Sequence, residues 1–233
     1  MKKIVAIGDI HGRDVWRRIV EVNEDADRII FIGDYFDAPS YRRKLGSNGE
    51  EELRNFSEIF QFKLDNPEQV IMLMGNHDYH YLPGVQSGCV GFQDSMREHF
   101  QQALSYAVED QAVQWIHAED GFLFSHAGVT TTWFELSKVG SVAEINDLGI
   151  GHFDFNPGPL MNGYGDEICQ TPIWVRPPSL RQDKLDGYIH VVGHTPQPDG
   201  IQMDDGICFI DCLDIGQYLM ILDGIPQGVG VIS

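Results

Sequence analysis

Five short apolar runs rich in β-branched and aromatic residues are spread along the chain, and each ends close to a polar residue. The runs lie at residues 4–7, 29–32, 70–74, 122–124 and 189–192. Runs of this length bounded by turn residues are typical of strands buried on both faces of a sheet. The segments 14–22 and 50–64, which lie between the first three runs, carry apolar residues at helical spacing. This alternation predicts parallel strands joined by right-handed crossovers, and therefore an α/β fold.

The polar residues that follow these runs define a candidate binding site. Each comes two residues after its run: Asp9, Asp34, Asn76, His126 and His194. Because open α/β sheets bind ligands beyond the carboxyl ends of their strands, these side chains are expected at one sheet edge. His11 lies two residues after Asp9, and side chains at i and i+2 of an extended chain point the same way. Carboxylate, amide and imidazole ligands suit two divalent metals, and paired metals suit phosphoester hydrolysis.

Each of these residues alone also has a structural explanation. A Gly-Asp pair after a strand is often a turn or a helix cap, and a lone histidine such as His126 or His194 is often a hydrogen-bonded core residue. The recurrence of such residues after five separate strands favours the metal site.

The charge balance and the cysteines limit the expected partners. Lys and Arg total 16 against 35 Asp and Glu, a formal charge of -19, which argues against general nucleic-acid binding. The four cysteines show no CxxC spacing and are expected to be reduced thiols. No apolar stretch approaches the roughly 18 residues of a membrane span, and the run at 4–7 is too short for a signal-peptide core. We therefore expect no membrane partner, a cytoplasmic location and a single domain over residues 1–233.

The later part of the chain is predicted to be less regular. Residues 92–108 are predicted to be helical in part. The glycine- and proline-rich segment 149–178 is predicted to be a long ordered loop, of a kind that often carries function. Residues 207–210 and 218–222 are predicted to form antiparallel strands around the segment 211–217.

Five motifs carry a resemblance to a known family. They are Gly-Asp-Ile-His-Gly at residues 8–12, Gly-Asp-Tyr-Phe-Asp at 33–37, Gly-Asn-His-Asp at 75–78, Ser-His-Ala-Gly at 125–128 and Gly-His-Thr at 193–195. In this order the chain resembles the calcineurin-like metallophosphoesterases, and within them the small bacterial and phage-type relatives of the serine/threonine protein phosphatases. The resemblance runs from about residue 3 to residue 222. It implies an α/β fold built as a four-layer αββα sandwich of two mixed β-sheets, with the metals at the sheet edges.

The resemblance implies two sets of metal ligands. The first metal would be held by Asp9, His11 and Asp34. The second metal would share Asp34 and would be held also by Asn76, His126 and His194. A hydroxide bridging the two metals would attack phosphorus in line. Manganese is the favoured metal, with iron or zinc as alternatives.

The resemblance also implies roles in proton transfer and phosphate binding. His77 matches the histidine that protonates the leaving group, and Asp37 matches the acid that orients it. A histidine held by a carboxylate can stay protonated near neutral pH, which suits that role. Asn76 is expected to contact the substrate phosphate as well as a metal.

A missing arginine at position 38 and the arginine at position 176 bear on phosphate binding. Ala38 follows Asp37 where the protein phosphatases usually carry an arginine, which weakens the expectation of protein-phosphatase activity. Arg42 or Arg43 could compensate, although a solvated charge pair is the favoured interpretation. Arg176, in the sequence Trp-Val-Arg, resembles an arginine that contacts phosphate in small phosphatases, and a planar guanidinium suits bidentate phosphate contact. The alternative for Arg176 is a surface loop residue ahead of two prolines.

These observations favour one function and leave two others open. The favoured function is a dimetal phosphomonoesterase, which includes a protein serine/threonine phosphatase, acting on a phosphorylated small molecule, nucleotide or phosphoprotein. The first alternative is a phosphodiesterase or dinucleoside-polyphosphate hydrolase with the same metal core. The second alternative is a non-enzymatic metal-binding scaffold, which is disfavoured because every expected ligand is present.

Overall fold

The computed structural model describes residues 1–39, 49–86, 88–159 and 165–231. In these ranges the strands are β1 (Lys3–Ile7), β2 (Arg28–Phe31), β3 (Val70–Leu73), β4 (Val113–Gln114), β5 (Ile116–Glu119), β6 (Phe122–Ser125), β7 (Ile189–Val192), β8 (Gln202–Asp204), β9 (Ile207–Phe209), β10 (Gln217–Leu222) and β11 (Ile225–Gly230). The α-helices are α1 (Trp16–Glu21), α2 (Glu50–Asp65), α3 (Asn76–Tyr79), α4 (Arg97–Glu109), α5 (Thr131–Ser137) and α6 (Pro177–Asp183). Short 3-10 helices span Asp94–Met96, Ala143–Asp147, Ile150–Phe153 and Leu213–Ile215.

The strands form two mixed sheets. The first has the order β11-β10-β1-β2-β3-β4, in which β1 to β4 are parallel and β10 and β11 are antiparallel additions at one side. The second has the order β5-β6-β7-β9-β8, with a parallel centre of β6, β7 and β9 and an antiparallel strand at each edge. The parallel central strands are those whose apolar runs are most evident in the sequence.

Alternating side chains along the strands divide the core into layers. Ile4 and Ala6 of β1 face the second sheet and pack in a cluster with Phe122 and Phe124 of β6. Val5 and Ile7 face the other way and belong to the large cluster that contains the buried faces of α1, α2 and α4. On the outer side of the second sheet, Leu180 of α6 packs with Phe209 and other residues of that sheet. The four layers therefore run helix, sheet, sheet, helix, and the fold class expected from the resemblance is confirmed.

Some local expectations were wrong. The strands β9 and β10 do not pair with each other, because β9 lies parallel to β7 in one sheet and β10 lies antiparallel to β1 in the other. An apolar run shows that a strand is buried but not which sheet receives it. The segment 149–178 also contains the 3-10 helix Ile150–Phe153 and the start of α6, where proline at the first helical position favours the helix. None of the helices in the described ranges is both long and apolar enough to cross a membrane.

Candidate metal centre

The carboxyl ends of five parallel strands, three in one sheet and two in the other, deliver polar side chains to one edge of the sandwich. The candidate ligands are Asp9 and His11 after β1, Asp34 after β2, Asn76 after β3, His126 after β6 and His194 after β7. Four non-glycine residues of these loops have positive φ: His11 (41°), Asp34 (50°), Asp37 (60°) and His194 (64°). Such conformations cost about 1–3 kcal/mol each for a non-glycine residue and cluster at functional sites.

Each candidate histidine ligand has one ring nitrogen against a backbone carbonyl and the other directed into the site. His11 Nδ1 lies 2.6 Å from the Phe36 carbonyl oxygen. His126 Nδ1 lies 3.0 Å from the Ile32 carbonyl oxygen. His194 Nε2 lies 3.2 Å from the carbonyl oxygen of Trp174. A carbonyl can only accept, so in a neutral ring these contacts place the N–H outward and leave the inner nitrogen as a lone pair, which is the usual arrangement of a metal-bound histidine.

The contacts of His194 show that the site fits a cation. Its Nδ1 lies 2.8 Å from Asn76 Oδ1, and its Nε2 faces the Trp174 carbonyl. Burial and the charge of Arg176 hold the pKa of His194 well below its usual value, so the ring is neutral and carries one N–H. Asn76 Oδ1 and the Trp174 carbonyl oxygen are both acceptors, so the single N–H can donate to only one of them. The other contact then places two lone pairs against each other. A divalent metal between Nδ1 and Oδ1 would turn that contact into shared coordination.

Asp34 lies at the centre of the site. Its Oδ2 is 3.5 Å from His11 Nε2 and 3.4 Å from His126 Nε2. Among the described residues, two groups of potential ligands have their donor atoms within 4.8 Å of one another and share Asp34: His11 with Asp34 and His77, and Asp9 with Asp34 and His126. Asp34 is therefore common to both groups of potential ligands.

Asp9 contacts the loop after β7. Its carboxylate accepts the backbone N–H of His194 at 3.0 and 3.1 Å and lies 4.0 Å from His126 Nδ1. The amide of His194 therefore holds Asp9 toward the second sheet. Asp9 still belongs to the same cluster through Asp34.

Burial and neighbouring charges together set the pKa values of these groups. Burial raises the pKa of Asp9 to about 6 and lowers the pKa of His11 to about 4. Burial alone would lower the pKa of His126, but the charges of Asp34 and Asp9 outweigh it and raise this pKa to about 9. Burial opposes ionisation of Asp34 too, yet the charges of His126 and His77 hold its pKa well below the usual range. A proton on His126 therefore takes the lone pair that a metal would use, and metal and proton compete for this position.

His77 and Asp37 form a pair beside these ligands. His77 Nδ1 lies 3.2 Å from Asp37 Oδ2, and the backbone N–H of His77 donates to Asp34 Oδ1 at 2.9 Å. Burial lowers the pKa of His77, but the charge of Asp34 and the hydrogen bond with Asp37 outweigh it and raise the pKa well above its usual value. Asp37 therefore holds the His77 ring through Nδ1.

Several residues that support the site were not singled out from the sequence. Tyr81 donates its hydroxyl to Asp37 Oδ1 at 2.6 Å, and Cys89 Sγ lies 3.2 Å from Asp37 Oδ2. The buried carboxylate of Asp78 accepts the backbone N–H groups of Tyr35 and Gly75, which joins the loops after β2 and β3. Asp78 lies inside a recognised motif, which was a signal for its role. No local pattern connects residues 81 and 89 with residue 37.

Of the three arginines considered for phosphate binding, Arg176 lies within the described residues. Arg176 lies at the N-terminus of α6, and its guanidinium donates to the His194 carbonyl at 3.1 Å and to Thr195 Oγ1 at 3.2 Å. Burial lowers the pKa of Arg176, and the opposing charges of Asp34 and Asp9 offset this shift only in part. Arg42 and Arg43 lie outside the described residues.

The fold and the geometry of the site agree with a family comparison. The profile of the calcineurin-like phosphoesterases matches residues 2–211. The chain therefore belongs to the calcineurin-like phosphoesterase family. The resemblance predicted from the motifs is confirmed.

Individual relatives differ in what they share with this chain. The symmetrical bis(5'-nucleosyl)-tetraphosphatase of Nitrosospira multiformis is 26% identical over 141 residues, which cover 56% of this chain and 45% of that protein. The match thus spans less than half of that relative. The cold-active protein-tyrosine phosphatase of a psychrophilic Shewanella superposes with a TM-score of 0.67 at 17% identity, over 99% of this chain and 78% of that one, and shows the same fold. A metallophosphoesterase from Sphaerobacter thermophilus has a TM-score of 0.49 at 12% identity, over 94% of this chain and 83% of that one.

Proposed function

We propose that this chain is a dimetal-dependent phosphomonoesterase. The observation that carries the proposal is the sharing of Asp34 between two groups of inward-facing ligands, together with the lone-pair contact between His194 and Asn76. Bound divalent metals would supply Lewis-acid activation of water and would offset charge on the phosphoryl group. The substrate would be a phosphorylated small molecule, nucleotide or phosphoprotein.

Six residues are proposed as metal ligands. They are Asp9, His11, Asp34, Asn76, His126 and His194. All six are buried or nearly so, and none offers sulfur. A set of carboxylate, amide and imidazole donors supports manganese as the favoured metal, with iron or zinc as alternatives.

His77 is proposed as the proton donor to the leaving group. Asp37 would hold the Nδ1–H, so that Nε2 faces the leaving oxygen with its proton. Asn76 and Arg176 are proposed to bind the phosphate. Burial lowers the pKa of Arg176, because the buried guanidinium has lost part of its hydration. This loss of hydration strengthens its attraction for an anion.

The first test is the metal dependence and ester preference of the protein. Initial rates on 4-nitrophenyl phosphate and bis(4-nitrophenyl) phosphate would be measured with metal-stripped protein and added Mn²⁺. We expect Mn²⁺-dependent turnover that favours the monoester and is abolished in His126→Ala. His117→Ala is the matched control, because His117 lies on β5 with its ring beside Glu119. Absence of turnover with Mn²⁺, Fe²⁺ and Zn²⁺ would favour a scaffold role instead.

The role of His77 gives a sharper prediction. In His77→Ala the ligands remain, so metal content should match the wild type, while turnover of esters with poor leaving groups should fall by about 10²–10⁴-fold, the usual contribution of general acid catalysis. Esters with good leaving groups should be affected less. Metal content would be measured by elemental analysis, and its loss in this variant would move His77 to the ligands.

A second candidate is hydrolysis of dinucleoside polyphosphates. The similarity to the Nitrosospira tetraphosphatase is the observation that favours it. Release of nucleotides from diadenosine tetraphosphate, followed by anion-exchange chromatography, would be compared with phosphate release from a mononucleotide. A kcat/KM for the tetraphosphate above that for every monoester would make this candidate the activity of the chain.

Two further expectations remain proposals. We propose that residues 1–233 form a single metallophosphoesterase domain, which is supported by a core cluster to which both sheets contribute. A cytoplasmic location is supported by four free cysteines, since disulfides are rare in reducing compartments.

A further inference from the structure

A third group of potential metal ligands lies outside the six proposed ones. Asp37, His77 and Cys89 have their donor atoms within 4.8 Å of one another. Asp37 is buried, whereas His77 and Cys89 are half-buried, so the cluster reaches the surface through the latter two. Neither the expected ligand sets nor the proposed mechanism gives Cys89 a function.

The two distances from Asp37 to the other donors agree with tetrahedral coordination. Asp37 Oδ2 lies 3.2 Å from both His77 Nδ1 and Cys89 Sγ. Zinc bonds of about 2.0 Å to nitrogen and oxygen and about 2.3 Å to sulfur give tetrahedral edges of about 3.3 Å for the N–O pair and about 3.5 Å for the S–O pair. The observed distances need to open by only a few tenths of an ångström. Three protein ligands leave a fourth position for water.

The donor set favours a metal different from the one proposed for catalysis. Thiolate, imidazole and carboxylate together suit zinc, whereas sites of carboxylate, amide and imidazole accept manganese as well. We propose that Asp37, His77 and Cys89 form a separate zinc site, distinct from the two proposed catalytic metal positions, and that zinc bound there inhibits the enzyme. The thiol proton of Cys89 is released when its sulfur becomes a ligand.

The inhibitory effect follows from which nitrogen the zinc occupies. The inhibition rests on the proposed role of His77, whereas the binding itself does not. Zinc bound to Nδ1 would replace the proton that His77 shares with Asp37. The same zinc would bind the Asp37 carboxylate, which would then no longer accept a hydrogen bond from His77. The His77 ring then loses the contact with Asp37 that orients it for its proposed role.

A spectroscopic titration tests the binding without using activity. Protein saturated with Mn²⁺ would be titrated with Co²⁺, which reports a thiolate ligand through sulfur-to-cobalt charge-transfer absorption in the near ultraviolet. The proposed catalytic ligands include no sulfur, so the band reports the new site alone. We expect the band in the wild type and in Cys169→Ser, and its loss in Cys89→Ser. Cys169 is a matched control because it is also a free, half-buried thiol. A band that persists in Cys89→Ser, or no band in the wild type, would overturn the proposal.

Inhibition is tested in the same three proteins. Each is assayed with Mn²⁺ and increasing Zn²⁺, and each is compared with its own rate without zinc. We expect the zinc concentration for half inhibition to rise at least about tenfold in Cys89→Ser, since even an outer-shell change costs that much in metal affinity, and to stay unchanged in Cys169→Ser. Equal sensitivity of Cys89→Ser and wild type would overturn the inhibitory role. Absence of Mn²⁺-dependent activity in all three proteins would instead refute the proposed function, and the cobalt titration would still decide the binding.

Discussion

At the scale of single residues, Tyr81 is the positioning residue on which the His77–Asp37 pair depends most directly. Its hydroxyl donates to Asp37 Oδ1 at 2.6 Å and accepts the backbone N–H of Gln93 at 2.8 Å, so its orientation is fixed from both sides. In Tyr81→Phe the buried Asp37 loses a donor, and the carboxylate is free to turn away from His77. We expect kcat to fall about tenfold, equivalent to about 1.4 kcal/mol in the barrier, with KM unchanged.

Steady-state kinetics on a monoester with a poor leaving group would measure this split. Tyr106→Phe is the control, because Tyr106 is exposed on α4 and its hydroxyl only accepts from Gln102. An unchanged kcat in Tyr81→Phe would show that Asp37 keeps its orientation without the phenol.

Another single residue, His190, makes stability depend on pH away from the site. It is buried on β7, where Nε2 lies 2.9 Å from the Leu185 carbonyl and Nδ1 has no partner among the described residues. Burial lowers its pKa below the usual value near 6.5. The His190 imidazole therefore binds a proton more readily in the unfolded chain than in the folded chain. As a result, the free energy of unfolding decreases as pH falls below about 6.5.

The substitution His190→Gln should remove this part of the acid sensitivity, because the glutamine amide can still donate to Leu185 and does not titrate. Urea unfolding at about pH 7.5 and about pH 5.5 would give the loss of stability on acidification for each protein. We expect a smaller loss in the variant than in the wild type. Equal losses would show that His190 does not contribute to the pH dependence.

At the scale of elements, the loops after β2 and β3 lie so close together that the second loop has no room for a side chain at Gly75. A Cβ at Gly75 would overlap Asp34 Oδ1 and the Asp34 backbone nitrogen. We therefore expect Gly75→Ala to displace Asp34 and to weaken Mn²⁺ binding at least about tenfold, as measured by isothermal titration calorimetry. Gly149→Ala is the matched control, since nothing lies within 4 Å of the added Cβ and its φ is -67°. Wild-type affinity in Gly75→Ala would contradict this account of the loop contact.

The same elements show what could be predicted from the sequence. The apolar runs and the polar residues two positions after them predicted the strands, their parallel pairing and the gathering of Asp34 and Asn76, because the carboxyl ends of parallel strands in one sheet meet at the same edge. The contacts of Tyr81 and Cys89 with Asp37 could not be predicted, since they join residues 44 and 52 positions apart through loops without periodicity. The separation of β9 from β10 was missed because a buried run does not identify its sheet.

At the scale of the whole molecule, the proposed ligands come from both sheets. Asp9, Asp34 and Asn76 follow strands of the first sheet, whereas His126 and His194 follow strands of the second. A metal held by Asn76 and His194 would therefore join the two halves of the sandwich at the edge of their shared core. Binding would require the folded arrangement of both sheets, so that metal binding and folding are thermodynamically linked.

Metal removal should accordingly destabilise the whole fold. With free Mn²⁺ at about 1,000 times the dissociation constant of one site, the gain in the free energy of unfolding is about 4 kcal/mol. For a chain of this length that gain corresponds to a rise of roughly 8–16 °C in the unfolding midpoint. Differential scanning calorimetry of metal-stripped protein with and without Mn²⁺ would measure the rise, which should be reduced in His126→Ala and retained in His117→Ala. An equal rise in His126→Ala would mean that Mn²⁺ stabilises the fold from a site other than the edge where the two sheets meet.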